Sequence, residues 1–191
     1  MTQIYIQDKR FEKINFSETP LVKGEYEDCT FVDCLFERVH LSGFIFTNCQ
    51  FVNCNLSLAK VANSSLKNVS FKGCKLLGIP FENCHTFLLE LRFEDCAINV
   101  SSFYKLPLKK TIFKNCSLQE VDFSEADLSQ SIFNNCDLTG AIFGKTNLEK
   151  ADFSTAYNFS INPAENRLKK AKFSSSGLSG LLHAHDLVIV P

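Results

Sequence analysis

Between Thr111 and Thr155 the chain repeats every five residues, and that period limits what it can fold into. Phe113, Leu118, Phe123, Leu128, Phe133, Leu138, Phe143, Leu148 and Phe153 stand five apart. Two places before each is a small or β-branched residue, as in Thr111, Cys116, Val121, Ala126 and Ser131. A period of five fits neither the 3.6-residue helix nor the two-residue strand. The remaining way to bury one residue in five is a coil that turns a corner with every unit and stacks on the next coil: a solenoid.

The same register begins at Phe11 and runs without a break to Phe81. Phe81 to Phe93 is two units plus two extra residues, so a bulge or short projecting loop is expected within 82–92, with Leu88 and Phe93 restarting the phase. Sorted by twenty, the centres fall into columns of like type. One column is Phe11, Phe31, Phe51, Phe71, Phe93, Phe113, Phe133, Phe153 and Phe173, the expected core ladder. Another holds Phe16, Phe36, Leu56, Leu76, Ile98, Leu118 and Leu138, and a third runs from Leu21 to Phe143. The fourth is Tyr26, Phe46, Leu66, Leu88, Leu108, Leu128 and Leu148. Four units therefore make one square coil. Parallel strands lie about 4.8 Å apart, so eight or nine coils make a rod roughly 40 Å long.

Nine cysteines raise the question of disulfides or metal. Eight of them sit two places before a centre, and Cys84 does too if Thr86 is a centre. No Cys-x2-Cys pair occurs, so they read as small buried hydrophobes rather than ligands. The 19 Phe and absent Trp suit a fixed core position with one preferred shape. A net charge of −1 argues neither for a nucleic-acid binder nor for a strongly acidic mimic of one. The first ten residues lack the apolar core of a signal peptide, and no apolar run approaches a membrane span. A cytoplasmic protein is expected.

Three segments follow: residues 1–10 as an edge cap with Ile4 and Tyr5 covering the first coil, 11–156 as the repeat, and 157–191 as the last coil with a capping or dimerisation module. Asn162-Pro163 reads as an Asn cap with Pro at the first helical position, while Leu168, Phe173 and Leu178 keep the five-residue phase, which fits an elaborated last coil instead. Gly177 and Gly180 bracket a turn into an apolar end, where Leu181, Leu182, Leu187, Val188, Ile189 and Val190 are the candidate dimer contacts.

Tandem units of small residue, Asp or Asn, Leu or Phe, Ser or Thr, and any residue resemble the pentapeptide-repeat family over residues 11 to about 178. The resemblance implies an all-β fold, a right-handed quadrilateral parallel β-helix with a short C-terminal helical or strand cap. Phe51-Val-Asn-Cys-Asn-Leu-Ser-Leu58 and Phe71-Lys-Gly-Cys-Lys-Leu-Leu-Gly-Ile79 look like the albicidin-resistance proteins. The ending from Tyr157 is similar to those and to microcin-immunity relatives, and more distantly to the quinolone-resistance (Qnr) group and mycobacterial MfpA. What this implies is a non-catalytic, DNA-mimic-like homodimer that acts on DNA gyrase or topoisomerase IV, protecting it from a poison or inhibiting it. No direct nucleic-acid binding, no membrane and no cofactor are expected.

The chain departs from that pattern in two respects. Residues 82–160 hold eleven acids against seven bases, but 61–80 add three lysines and the tail is basic. The two-residue slip is also shorter than the projecting loops of many Qnr proteins. Glu82, Glu90, Glu94, Asp95, Glu120 and Glu125 are less bound to the repeat phase and are the candidate contacts for a basic partner; the alternative is that they only keep the rod soluble. Asp122, Asp127, Asp137 and Asp152 sit one place before a centre, which suggests corner or ladder roles. The four histidines offer no Ser-His-Asp or Cys-His pairing, and His183-Ala-His185 has no third ligand near it, so neither a catalytic nor a metal site is expected. The alternative function is a scaffold that binds other proteins on its flat faces.

Overall fold

A computed structural model describes residues 4–185 and Leu187. Its strands are β1 (Ile4–Gln7), β2 (Arg10–Glu12), β3 (Gly24–Glu27), β4 (Thr30–Val32), β5 (Ile45–Thr47), β6 (Gln50–Val52), β7 (Ser65–Lys67), β8 (Val69–Lys72), β9 (Leu91–Glu94), β10 (Ile112–Lys114), β11 (Ile132–Asn134), β12 (Asp152–Phe153) and β13 (Lys172–Phe173). Every pairing is parallel and joins successive coils: β2, β4, β6 and β8 to β13 form one nine-stranded sheet, and β1, β3, β5 and β7 a second of four. The other two sides carry single bridges at the same spacing, such as Asn15↔Leu35↔Asn55↔Lys75 and Ser102↔Asp122↔Ile142. The result is a parallel β-solenoid of about eight turns with a short helical segment at its C-terminal end.

Each unit follows one rule. The centre and the residue two before it point inward and are buried, as in Cys34 with Phe36 and Val121 with Phe123. The centres stack on their own kind: Phe31–Phe51, Phe93–Phe113 and Phe133–Phe153 rings lie 4.7, 5.1 and 4.6 Å apart and nearly parallel. Rings of adjacent sides meet edge to face, as Phe113 meets Phe123 at 5.8 Å. Both geometries suit the aromatic quadrupole. The interior is filled, and the enclosed void among Val61, Leu66, Phe71 and Phe81 measures only about 20 Å³.

Corners form two places after the centre, where the backbone enters the left-handed region in nearly every coil. Asp28, Asp33, Asn48, Asn53, Asn63, Asn68, Asp95, Asn115 and Asn135 all have φ between 51° and 56°. Asn and Asp tolerate that region best among residues with a side chain. The corner N–H donates to the next coil, as Asp33 N does to the Val32-equivalent carbonyl of Val52 at 2.9 Å, so the ladder runs through the bends.

The register changes once. Ser65 pairs with His85, but Val69 pairs with Leu91 and Phe71 with Phe93, so two extra residues enter between His85 and Leu91. Leu88 does not fill the core position anticipated for it. It is 62% exposed at φ 58°, next to Phe87 at 75%, and Leu89 packs against the core instead. With two residues to spare, the chain places its third leucine-side residue inward and pushes the first two out.

At the two ends, residues from Ile4 already belong to the first coil: β1 pairs with β3, and Tyr5 donates its hydroxyl to Glu27. The helix anticipated after Asn162-Pro163 does not form. Asn162 accepts from Ala164 N at 3.0 Å, but the segment stays a chain of turns because the ladder reclaims it: Arg167 bridges to Asn147. Asn166 then takes the inward place, with its amide donating to the Phe143 and Asn162 carbonyls and accepting from Thr146 N. The short helix α1 (Ser179–Leu182) comes later, where Gly180 packs so closely on Phe159 that a Cβ would collide with its carbonyl.

Candidate partner-binding faces

The outward positions are one before and one after each centre, plus the corner. The six candidate acids do not converge there; they spread over all four sides. Glu90 closes the bulge and is held by Arg92 at 2.9 Å. Glu94 and Asp95 end β9 on the nine-stranded side. Glu94 lies between Lys114 at 2.9 Å and Lys72 at 3.6 Å, and the Lys114 ammonium holds its carboxyl below the usual carboxylate range. Asp95 accepts from Asn115, which accepts from Asn135, in a stack of corner amides. Glu120 occupies the next corner, and Glu125 the one after, where it meets the Tyr104 hydroxyl at 3.0 Å and Lys105 at 3.3 Å. Tyr104 first, and then Lys105, outweigh the effect of burial and keep the Glu125 carboxyl low. Glu82 is half-buried in a single turn at Phe81–Asn83, and its Oε2 is buried without a hydrogen-bond partner.

The periodic aspartates have the corner role their phase suggested. Asp122, Asp127, Asp137 and Asp152 each accept from the backbone N–H two residues on, Ser124, Ser129, Thr139 and Ser154, at 2.8 to 3.1 Å. This is the Asx turn, in which a side chain supplies the acceptor a bend leaves missing. Burial raises the Asp137 carboxyl, but hydrogen bonds from Gln119, Thr139 and Asn158 outweigh it and hold the group low.

All nine cysteines are buried free thiols, and the described residues contain no metal-binding cluster. Cys54, Cys74, Cys96 and Cys136 donate to carbonyls of the preceding coil at 3.3 to 3.4 Å. Burial pushes Cys49 up to about 12 and Cys84 up to about 11, which leaves thiols, not nucleophilic thiolates.

Exposed apolar groups include the following clusters. Phe87 and Leu88 form a knob on the bulge; Ile112 and Ile132 lie side by side on the nine-stranded face; Leu178, Leu182 and Leu187 lie at the C-terminal end. Leu181 packs against the core. Val188, Ile189 and Val190 lie outside the described residues. Neither the knob nor the left-handed corners were anticipated. The corners had a signal, the recurrence of Asn and Asp two places after the centre, whereas Leu88 carried a misleading one because its phase was right.

The sequence matches the family models described as "Pentapeptide repeat region" over residues 44–121 and "Pentapeptide repeats (8 copies)" over 108–154. With the ladder and corner geometry above, the chain belongs to the pentapeptide-repeat proteins. No curated protein matches the sequence. Among solved structures it is similar to a trypsin-treated variant of QnrB1, a plasmid-mediated fluoroquinolone resistance protein: TM-score 0.60, 17% identity, 98% of this chain and 92% of that one. It is also similar to HetL of the cyanobacterium Nostoc sp. strain PCC 7120, involved in heterocyst differentiation regulation: TM-score 0.53, 12% identity, 90% and 87% coverage. At these identities the likeness is one of fold.

Proposed function

We propose that this protein works without catalysis, as a stiff cytoplasmic rod that binds a type II topoisomerase along its sides and alters the enzyme's response to a poison. One observation carries the non-catalytic part: the interior is packed with stacked Phe and Leu, and the enclosed void is too small for a substrate. Its chemistry therefore lies on the outside. The choice of partner is supported by the fold shared with QnrB1 and by the resemblances in the repeat and tail. Mimicry of DNA then rests on the rod's dimensions and on local acids such as Glu120, because Glu90, Glu94 and Glu125 are already paired with Arg92, Lys114 and Lys105. The protein acts as a dimer joined at the end that bears Leu182 and Leu187.

The experiment is a gyrase supercoiling and cleavage assay with and without a fluoroquinolone. The expected result is a change in supercoiling or in drug-induced cleavage as the protein is added. No change in either, at concentrations far above that of gyrase, sinks the reading. A second reading is a scaffold for another protein, favoured by the exposed Phe87–Leu88 knob, which suits an apolar pocket better than a basic DNA-binding saddle. Recovery of a non-topoisomerase partner that is lost on Phe87→Ser would support it.

A further inference from the structure

Five lysines line one corner of the rod's C-terminal half. Lys110, Gln130, Lys150 and Lys170 are stacked corner residues with φ between 59° and 64°, and Lys109 and Lys169 directly precede two of them. Backbone bonds fix the stack: Lys110 N to Ser129 O at 3.0 Å, Gln130 N to Glu149 O at 2.9 Å, and Lys150 N to Lys169 O at 3.0 Å. Lys109, Lys110, Lys150, Lys169 and Lys170 are all exposed, and none takes part in an ion pair among the described residues.

The neighbouring acids are engaged elsewhere. Glu90 is held by Arg92, Glu94 by Lys114, Glu149 by Arg167 and Asp152 by Lys172, at 2.8 to 3.3 Å. Asp127 is taken by Asn147 and the Ser129 N–H. The five positive charges thus face solvent uncompensated. At the ridge's upper end the bulge opens a cleft of about 460 Å³, walled by Glu90 and Arg92 on one side and by Lys109 and Lys110 on the other.

We propose that this corner binds the phosphate backbone of duplex DNA, independently of sequence. From Lys110 to Lys170 is three rungs of about 4.8 Å, a straight line of roughly 14 Å. Phosphates of one strand advance about 3.4 Å along a duplex axis while winding around it, and the two strands together present about one per 1.7 Å, so a ridge of that length lying alongside has several within reach. Lysine engages phosphate as a point charge on a flexible stem, which tolerates the mismatch between the two spacings. The ridge residues between the lysines are Ser129, Gln130 and Glu149. With no aromatic on the ridge there is no platform for stacked bases, so duplex is favoured over single strands. An acidic protein surface would have to present carboxylates along the same line, whereas a phosphate backbone presents its charges at every register. This differs from the purely DNA-like rod the resemblance implied and does not depend on a topoisomerase.

The test is fluorescence anisotropy of the full chain with a labelled 30-base-pair duplex of mixed sequence and no topoisomerase present, from 50 to 200 mM salt. With up to five phosphates neutralised, log K is expected to fall with log salt at a slope of about −4 to −5. The variant K110E/K150E/K170E should bind at least tenfold more weakly with an unchanged circular dichroism spectrum, and K60E/K75E, on the other two sides, should bind like the parent. If the charge reversal perturbs folding, K110Q/K150Q/K170Q replaces it and should weaken binding and reduce the slope. The proposal is overturned by any of four results: no duplex binding at 50 mM salt, undiminished binding by the ridge variants, tighter binding of the matching single strand, or equal binding of a polyglutamate peptide.

Discussion

At the residue scale, the repeat sets two inward positions and one bend. The inward ones were legible because burial repeats with a fixed phase: Phe113 and Cys116 announce themselves by recurrence alone. The bend is legible only where Asn or Asp occupies it, because those side chains share the left-handed backbone that the corner needs. At Val100 the coil imposes φ 53° on a β-branched residue that is 56% exposed. A left-handed backbone costs an L-residue roughly 1–2 kcal/mol, and β-branching makes it worse. Val100→Asn should therefore stabilise the protein by about 1 kcal/mol, and raise the melting temperature by roughly 2–4 °C for a chain of this size. An unchanged or lowered midpoint would show that the Val side chain contributes more to packing than its exposure suggests.

At the element scale, the coil tolerates departures that keep its ladder. The bulge after His85 is one: β8 and β9 remain paired across it, with Phe71 beside Phe93. Counting residues located the slip but not which of them would leave the core, since Leu88 and Leu89 are chemically equal and only the closure of the coil chooses between them. Removing Thr86 and Phe87 restores a unit with Cys84, Leu88 and Leu91 in the three inward places. That deletion should fold into the same β-rich solenoid, with a melting temperature within a few degrees of the parent by circular dichroism. An unfolded or aggregated product would mean the bulge is needed to close that coil. The opposite lesson comes from Asn162-Pro163, where a sound helix-start signal lost to the ladder because Arg167 and Asn166 gain partners in the preceding coil.

At the scale of the whole molecule, a solenoid has two ends and four sides, and its relations with partners are settled there. The C-terminal end shows Leu178, Leu182 and Leu187 exposed by 50%, 37% and 59%. If this end joins two copies, L182D/L187D should halve the mass seen by light scattering while leaving the β spectrum intact. A persistent dimer would move the interface elsewhere, with the amino-terminal coil and its exposed Ile4 and Tyr5 next in line. No described helix is long and apolar enough to cross a membrane.

By itself the sequence determined the square coil, its period, the stacked core and the place of the single slip, because those follow from which residues recur and at what spacing. Only the tertiary structure decided how the charges are shared. Residues about twenty apart in sequence stand one rung apart in space, so Lys114 reaches Glu94 and Arg167 reaches Glu149, while Lys110, Lys150 and Lys170 are left in line. Side-chain pairing depends on which outward groups the coil brings within a few ångströms, and a linear count of acids and bases carries no such distances.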